Sequence, residues 1–202
     1  MEDSRIQAAV EEVLGRLFVP IEASGRHVHV TREQAERLFG HGLNFQRELS
    51  QPGQFLSQER VAIRTPKGEF QNVAVLGPER KEGQVEISLT DGKVLGITPP
   101  IRPSGAVAGT PGITIVGPKG SVVLEQGVIC AQRHIHMTPE DAARWGVGDK
   151  QIVKLKCFTD RPVVFEDVLV RVSPQFETAV HLDYDEANAC GFHNGDLGRL
   201  IP

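Results

Sequence analysis

RHVHVTREQAERLFG, residues 26–40, and RHIHMTPEDAARWGV, residues 133–147, are two copies of one motif. Each opens with Arg-His, an apolar residue and a second His, followed after one residue by a Thr. Two residues spaced by two on an extended segment leave the same face. His27 is therefore paired with His29, and His134 with His136. Thr31 and Thr138 read as N-caps of the short helices that follow. Gln34 completes a capping box with Thr31, Pro139 stands at the first helical position, and Gly40 and Gly146 are the stops.

The repetition continues outward. FQNVAVLGPERKEGQVEISLTDGKVLGI, residues 70–97, matches FEDVLVRVSPQFETAVHLDYDEANACGF, residues 165–192, without a gap. Both open Phe-x-x-Val-x-Val, pass a Pro-containing turn, and enter a strand and a short acidic-capped helix ending at Gly96 or Gly191. In this register Glu86 stands opposite His181, and Arg80 opposite Gln175. The expected fold is mainly β with short helices: two related small β-barrel domains from an internal duplication. The expected organisation is an amphipathic helix over 1–20, a first half over 21–100, a Gly/Pro-rich connector and hairpin over 101–127, and a second half over 128–202. The hairpin turns at Gly117-Pro118-Lys119-Gly120. Ile6, Val10, Val13, Leu14 and Leu17 fall at helical spacing. That helix either packs on its own domain or serves as a docking segment for a partner.

Composition agrees with a sheet-rich fold. The 202 residues include 21 Gly and 13 Pro, aromatics are 5%, and the core is left to Val, Ile and Leu. The net charge of -4 and the lack of a basic patch argue against a nucleic-acid partner. No apolar run is long enough to span a bilayer, and the opening MEDSR is not a secretory signal. Cys130, Cys157 and Cys190 are far apart and odd in number, so they read as reduced thiols.

Two imidazoles on one strand face suit zinc, which takes nitrogen ligands at about 2.0–2.1 Å. The repeat nominates a third ligand for each pair, giving His27, His29 and Glu86 in one half and His134, His136 and His181 in the other. Three protein ligands leave an open position, as in catalytic zinc sites. A metal built within each half and one built across both are equally compatible with the sequence. His41 and His193 stand in turn sequences and are left out.

GRHVHV, QPGQF, GPERKEGQVEIS, PPIRPSG, PGITIVGPKG, RHIHMTPEDA and RVSPQFETAVHLD, in this order over nearly all of residues 20–200, resemble the PduL-type phosphate propanoyltransferase (phosphotransacylase) family. The resemblance implies two β-barrel-like domains, a two-zinc active site, and the exchange of acyl-CoA plus phosphate with acyl phosphate plus CoA. Propanoyl is the implied acyl group, with acetyl handled by relatives. The metal ligands it implies are the six residues just named; zinc is the implied metal, with another divalent ion as the alternative. It further implies Arg80 as an essential arginine and CoA contacts at Ser24, Leu76 and Asn188. Two departures stand out: Ala74 where the family places a basic residue, and Gly25 where Asn is common. The implied settings are a bacterial microcompartment of propanediol degradation, with residues 1–19 docking on a shell protein, or the cytoplasm; homo-oligomerisation is open.

Phosphate attack on a thioester needs phosphate aimed, the carbonyl polarised and the developing oxyanion stabilised. Arg80 can hold phosphate by a bidentate fork. Thiolate leaves readily and no Gly-x-Ser-x-Gly motif occurs, so direct displacement without an acyl-enzyme is expected. The competing readings are a zinc hydrolase, a metal-braced module without catalysis, and a shell-associated interaction protein.

Overall fold

The computed structural model describes residues 2–202. In chain order the elements begin with α1 (Glu2–Leu17), β1 (Val19–Ser24), β2 (His27–His29), α2 (Arg32–Phe39), β3 (Phe45–Glu48), β4 (Phe55–Arg64) and β5 (Glu69–Gly77). They continue with β6 (Gln84–Glu86), α3 (Leu89–Leu95), β7 (Ile101–Arg102), β8 (Ile113–Val116), β9 (Ser121–Leu124) and β10 (Val128–Ala131). The last are β11 (His134–Met137), α4 (Pro139–Trp145), β12 (Ile152–Phe158), β13 (Val164–Val172), β14 (Ala179–Asp183), α5 (Tyr184–Cys190) and β15 (Leu197–Ile201).

The strands make a closed barrel and a curled sheet, so the fold is mainly β and barrel-like in both parts. The barrel order is β1-β14-β11-β13-β12-β15, closed by antiparallel pairing of Val19 with Gly198. The second sheet runs β7-β10-β6-β2-β5-β4-β8-β9, with β3 on β4. The chain divides into two compact units: Met1–Ser24, Arg133–Leu182 and Glu186–Pro202 carry the barrel, and Gly25–Gln132 with Asp183–Asp185 carry the sheet. Thus β1 belongs with the C-terminal strands, and β7, β8 and β9 extend the first sheet.

Each unit has its own core. Val28, Ile63, Val75, Val85, Leu95 and Ile115 anchor one; Ile135, Met137, Leu155, Val170, Val180 and Leu182 anchor the other. Val28 and Ile135, the residues between the paired histidines, are fully buried. Burying a side chain of this size stabilises by about 1.5–3 kcal/mol, which fixes the two short strands against their cores. β12 shows the strand rule plainly, with Val153, Leu155 and Cys157 inward and their neighbours outward.

The helix signals act as read. The Thr31 side chain accepts from Gln34 N, and Thr31 N donates in return to Gln34 Oε1 at 2.9 Å. Thr138 caps α4 with Pro139 in the first turn, and Gly146 ends it in the left-handed conformation that glycine tolerates. The β8–β9 hairpin closes through Gly117 N to Gly120 O at 2.9 Å. In α1 the apolar residues Ile6, Val10, Val13, Leu14 and Leu17 are all exposed, so that face does not pack on its own chain. No helix among the described residues is long and apolar enough to cross a membrane.

Candidate metal and active site

Among the described residues two groups offer three metal-type ligands each: His27, His29 and Glu86, and His134, His136 and His181. Within each group the ligand atoms lie within 4.8 Å of one another. These are the six residues that the repeat nominated, and each group is built inside one unit. Strand pairing explains the convergence. β2 runs antiparallel to β6 with His27 opposite Glu86, and β11 runs antiparallel to β14 with His134 opposite His181.

In the sheet unit, backbone carbonyls orient both rings. His27 Nδ1 lies 2.8 Å from Gly25 O, and His29 Nδ1 lies 3.2 Å from Leu76 O. A ring that donates Nδ1–H to a carbonyl presents Nε2 as the free ligand atom. Both Nε2 atoms face Glu86, at 3.6 Å from Oε2 for His27 and 4.0 Å from Oε1 for His29. Burial opposes charge on His27, but the Glu86 carboxylate outweighs it and raises the ring's pKa. Burial, with His27 and Arg80 close by, drives His29 well below the usual histidine range. Glu86 stays ionised far below its usual range because the attraction of His27 and His29 exceeds the penalty of burial. This is an anionic carboxylate flanked by imidazole nitrogens, a donor set that a divalent cation fits by taking the place of the His27 proton.

Two partners of Glu86 were missed in the sequence. Ser104 Oγ donates to Glu86 Oε1 at 2.8 Å, and Gln84 Nε2 donates to the same oxygen at 2.5 Å. Both residues stand in quoted motifs, GQVEIS and PPIRPSG, and Gln84 shares a strand face with Glu86. Arg80 reaches the same network, its Nη1 donating to Ser104 Oγ at 3.3 Å. Its backbone N–H donates to Val30 O at 2.8 Å, pinning the Arg80 loop one residue past His29.

In the barrel unit the three rings contact one another, with centroids 4.7 Å apart for His134–His136, 4.8 Å for His136–His181 and 5.1 Å for His134–His181. Both ring nitrogens of His136 are buried with no hydrogen-bond partner. Buried polar groups are nearly always satisfied, so an orphaned imidazole between two others marks a site that fits a metal ion. Burial, then His134 and Arg171, lowers the His136 pKa to about 3, which leaves it neutral and able to ligate. Glu22 Oε2 lies 3.6 Å from His181 Nδ1 and orients that ring, a partner the sequence did not single out.

The other implied residues fall on three different elements. Ser24 ends β1 and is half-buried; Leu76 lies in β5, where its carbonyl meets His29; Asn188 is exposed in α5. At Gly25 a Cβ would lie 2.6 Å from Tyr184 Cζ, so a larger residue there requires the exposed Tyr184 ring to shift.

The family model described as phosphate propanoyltransferase matches residues 20–193. A phosphate propanoyltransferase of Listeria monocytogenes is 52% identical over 207 residues, covering 100% of this chain and 97% of the relative. One of Thermotoga maritima is 53% identical over 184 residues, covering 90% and 88%, and one of Clostridioides difficile is 50% identical over 205 residues, covering 98% of each. With full-length likeness of this degree joined to the motifs and the fold, the chain belongs to the phosphate propanoyltransferase family, whose members are acyltransferases.

Proposed function

We propose that this protein interconverts a short-chain acyl-CoA plus phosphate with acyl phosphate plus CoA, using propanoyl and also acetyl groups, at a site holding two zinc ions. The two ligand triads, in a chain of this family, are the observation that supports the reading. His27, His29 and Glu86 hold one ion; His134, His136 and His181 hold the other. When bound, the ions supply Lewis acidity and positive charge for phosphate and carbonyl oxygens.

The rest of the chemistry belongs to the chain. Arg80 forks onto phosphate and aims one oxygen at the thioester carbon. That oxygen–carbon bond forms, the carbon–sulfur bond breaks, and the phosphate proton ends on the CoA sulfur, so hydrogen phosphate and acyl-CoA give acyl phosphate and CoA. Ser104 ties Arg80 to Glu86, so the phosphate-binding cation and the carboxylate ligand move together. No acyl-enzyme forms. Burial pushes the Cys157 thiol up to about 12 and raises Cys190, so neither is a ready thiolate, and Cys130 is buried. Ser24, Leu76 and Asn188 are assigned as CoA contacts. Residues 1–19 are assigned as a docking segment for a microcompartment shell protein, on the strength of the exposed apolar face of α1.

The test is an assay of metal-replete protein with acetyl-, propanoyl- and butanoyl-CoA, following thiol release and acyl phosphate together, with metal analysis of the same sample. Release of CoA that needs phosphate, yields acyl phosphate and gives intersecting double-reciprocal plots supports the proposal. Phosphate-independent release of free carboxylate makes the protein a hydrolase instead, and parallel plots establish an acyl-enzyme.

A further inference from the structure

The duplication repeats more than the ligands. Arg26 precedes the first ligand strand, and its side chain crosses to Asp91: Nη2 donates to Oδ1 at 2.7 Å and Nε to Oδ2 at 3.1 Å. The guanidinium lies over the Phe70 ring, 4.1 Å from its centroid. Arg133 precedes the second ligand strand and donates through Nη1 to Glu186 Oε1 at 2.5 Å. It lies over the Phe165 ring at 5.5 Å. Arg26 and Arg133, Phe70 and Phe165, and Asp91 and Glu186 are equivalent positions in the repeat. Each acid is the third residue of its helix and stands five residues after the third metal ligand, Glu86 or His181.

These contacts lie where the ligand strands need support. β2 and β6 are three residues each and share three paired positions. β11 and β14 likewise share three. The ladder ends at His27–Glu86 in one unit and at His134–His181 in the other, the ligand pairs themselves. Each Arg stands one residue past that end and ties the two-histidine strand to the helix that follows the third ligand. The arms have further anchors. Asp91 also accepts from Ser88 N at 3.3 Å, and Arg133 Nε also donates to Glu166 O at 2.5 Å. The two halves have meanwhile diverged at the third ligand and at Arg80, whose counterpart is Gln175. A partly exposed ion pair adds little to folding, about 0–1 kcal/mol. Its retention in both halves beside divergent chemistry points to placement.

We propose that Arg26–Asp91 and Arg133–Glu186 are positioning clamps, each setting the separation of the third ligand from its histidine pair and thereby the metal affinity of its own site. The inference rests on the two-metal reading above and adds the residues that tune each site.

The test is a crossover in the full-length protein. His136→Ala isolates the sheet site and His29→Ala isolates the barrel site, and zinc affinity is read by competition with a chromophoric chelator. In the His136→Ala background, Arg26→Met should weaken zinc about 10–100-fold, the range for losing an outer-shell partner, and Arg133→Met should leave it unchanged. In the His29→Ala background the pattern should reverse. Asp91→Asn, which keeps an acceptor for the helix cap, should act like Arg26→Met, and Arg26→Lys should recover part of the loss. Equal weakening of both sites by either variant, or unchanged affinity with only a lower unfolding temperature of the metal-free protein, overturns the clamp while the two-metal reading stands. A wild-type chain that takes up no zinc overturns both.

Discussion

His136→Leu should stabilise the metal-free protein and destabilise the metal-loaded one. His136 is 6% exposed, and its ring carries a donor and an acceptor that meet no partner. Leaving such a group unsatisfied costs about 1–3 kcal/mol, and the ring carries two. Leucine is of similar size and removes that cost, but it loses the ring contacts with Phe176 at 4.1 Å, His134 at 4.7 Å and His181 at 4.8 Å. A ring pair of this kind contributes about 0.5–1.5 kcal/mol. The balance favours the variant by about 1 kcal/mol, which raises the midpoint of thermal unfolding by roughly 2–4 °C in a chain of this size. Zinc reverses the order. An ion at 100 times its dissociation constant stabilises the wild type by about 2.7 kcal/mol per site, and the variant forgoes this at the barrel site. Calorimetry of chelator-treated and zinc-saturated samples reads both halves of the prediction. A metal-free variant less stable than metal-free wild type by 1 kcal/mol or more would show that the ring nitrogens are satisfied after all. An unchanged order in zinc would remove the metal from this triad.

Arg80→Ala should keep its zinc and lose about 10²–10³-fold in kcat, the usual effect of deleting a donor to developing charge; loss of zinc together with turnover would make the residue structural. Ser104→Ala should weaken zinc about 10-fold at the sheet site by removing one of the two donors to Glu86 Oε1, as metal competition would show. Removing residues 1–17 should leave turnover unchanged, because the apolar residues of α1 are exposed; a fall in kcat would tie the helix to catalysis. Above pH 9 the unfolded Cys157 thiol ionises while burial, then Cys190, keeps the folded thiol protonated up to about 12. The unfolded state then binds fewer protons, so stability should fall as pH rises from 9 toward 12, by up to about 1.4 kcal/mol per pH unit. Urea unfolding at pH 8, 9 and 10 checks this, and Cys157→Ala should flatten the slope.

The two candidate ligand triads were legible because the chain carries its own comparison. A single His-x-His says little, but two in matching context supply a register, and that register delivers Glu86 and His181. Cap chemistry was equally local: Thr31, Gln34, Thr138 and Gly146 act within one turn of where they stand. Other features depend on pairings that no local pattern encodes. Glu22 reaches His181 because β1 joins the barrel beside β14, more than a hundred residues along the chain. Ser104 reaches Glu86 from an irregular stretch whose Gly and Pro content reads as a linker. Gln84 could have been found, since it leaves the strand on the same side as Glu86. The clamps lay in plain view at Arg26 and Arg133, but an arginine beside a histidine pair carries no meaning until its carboxylate is located.

Barrel closure sets an order of events during synthesis. Among the strands described, β1 leaves the ribosome before the rest and its antiparallel partner β15 after them. The sheet-forming stretch, residues 25–132, emerges well before that partner exists, so its triad of His27, His29 and Glu86 can assemble on a growing chain. The three-histidine triad must wait for β11 and β14, and the wall around it for the final few residues. A ribosome stalled shortly before Leu197 would thus present one formed ligand set and an open barrel with β1 unmatched. An unmatched strand edge invites pairing with other chains, and loss of β15 should reveal itself first as aggregation.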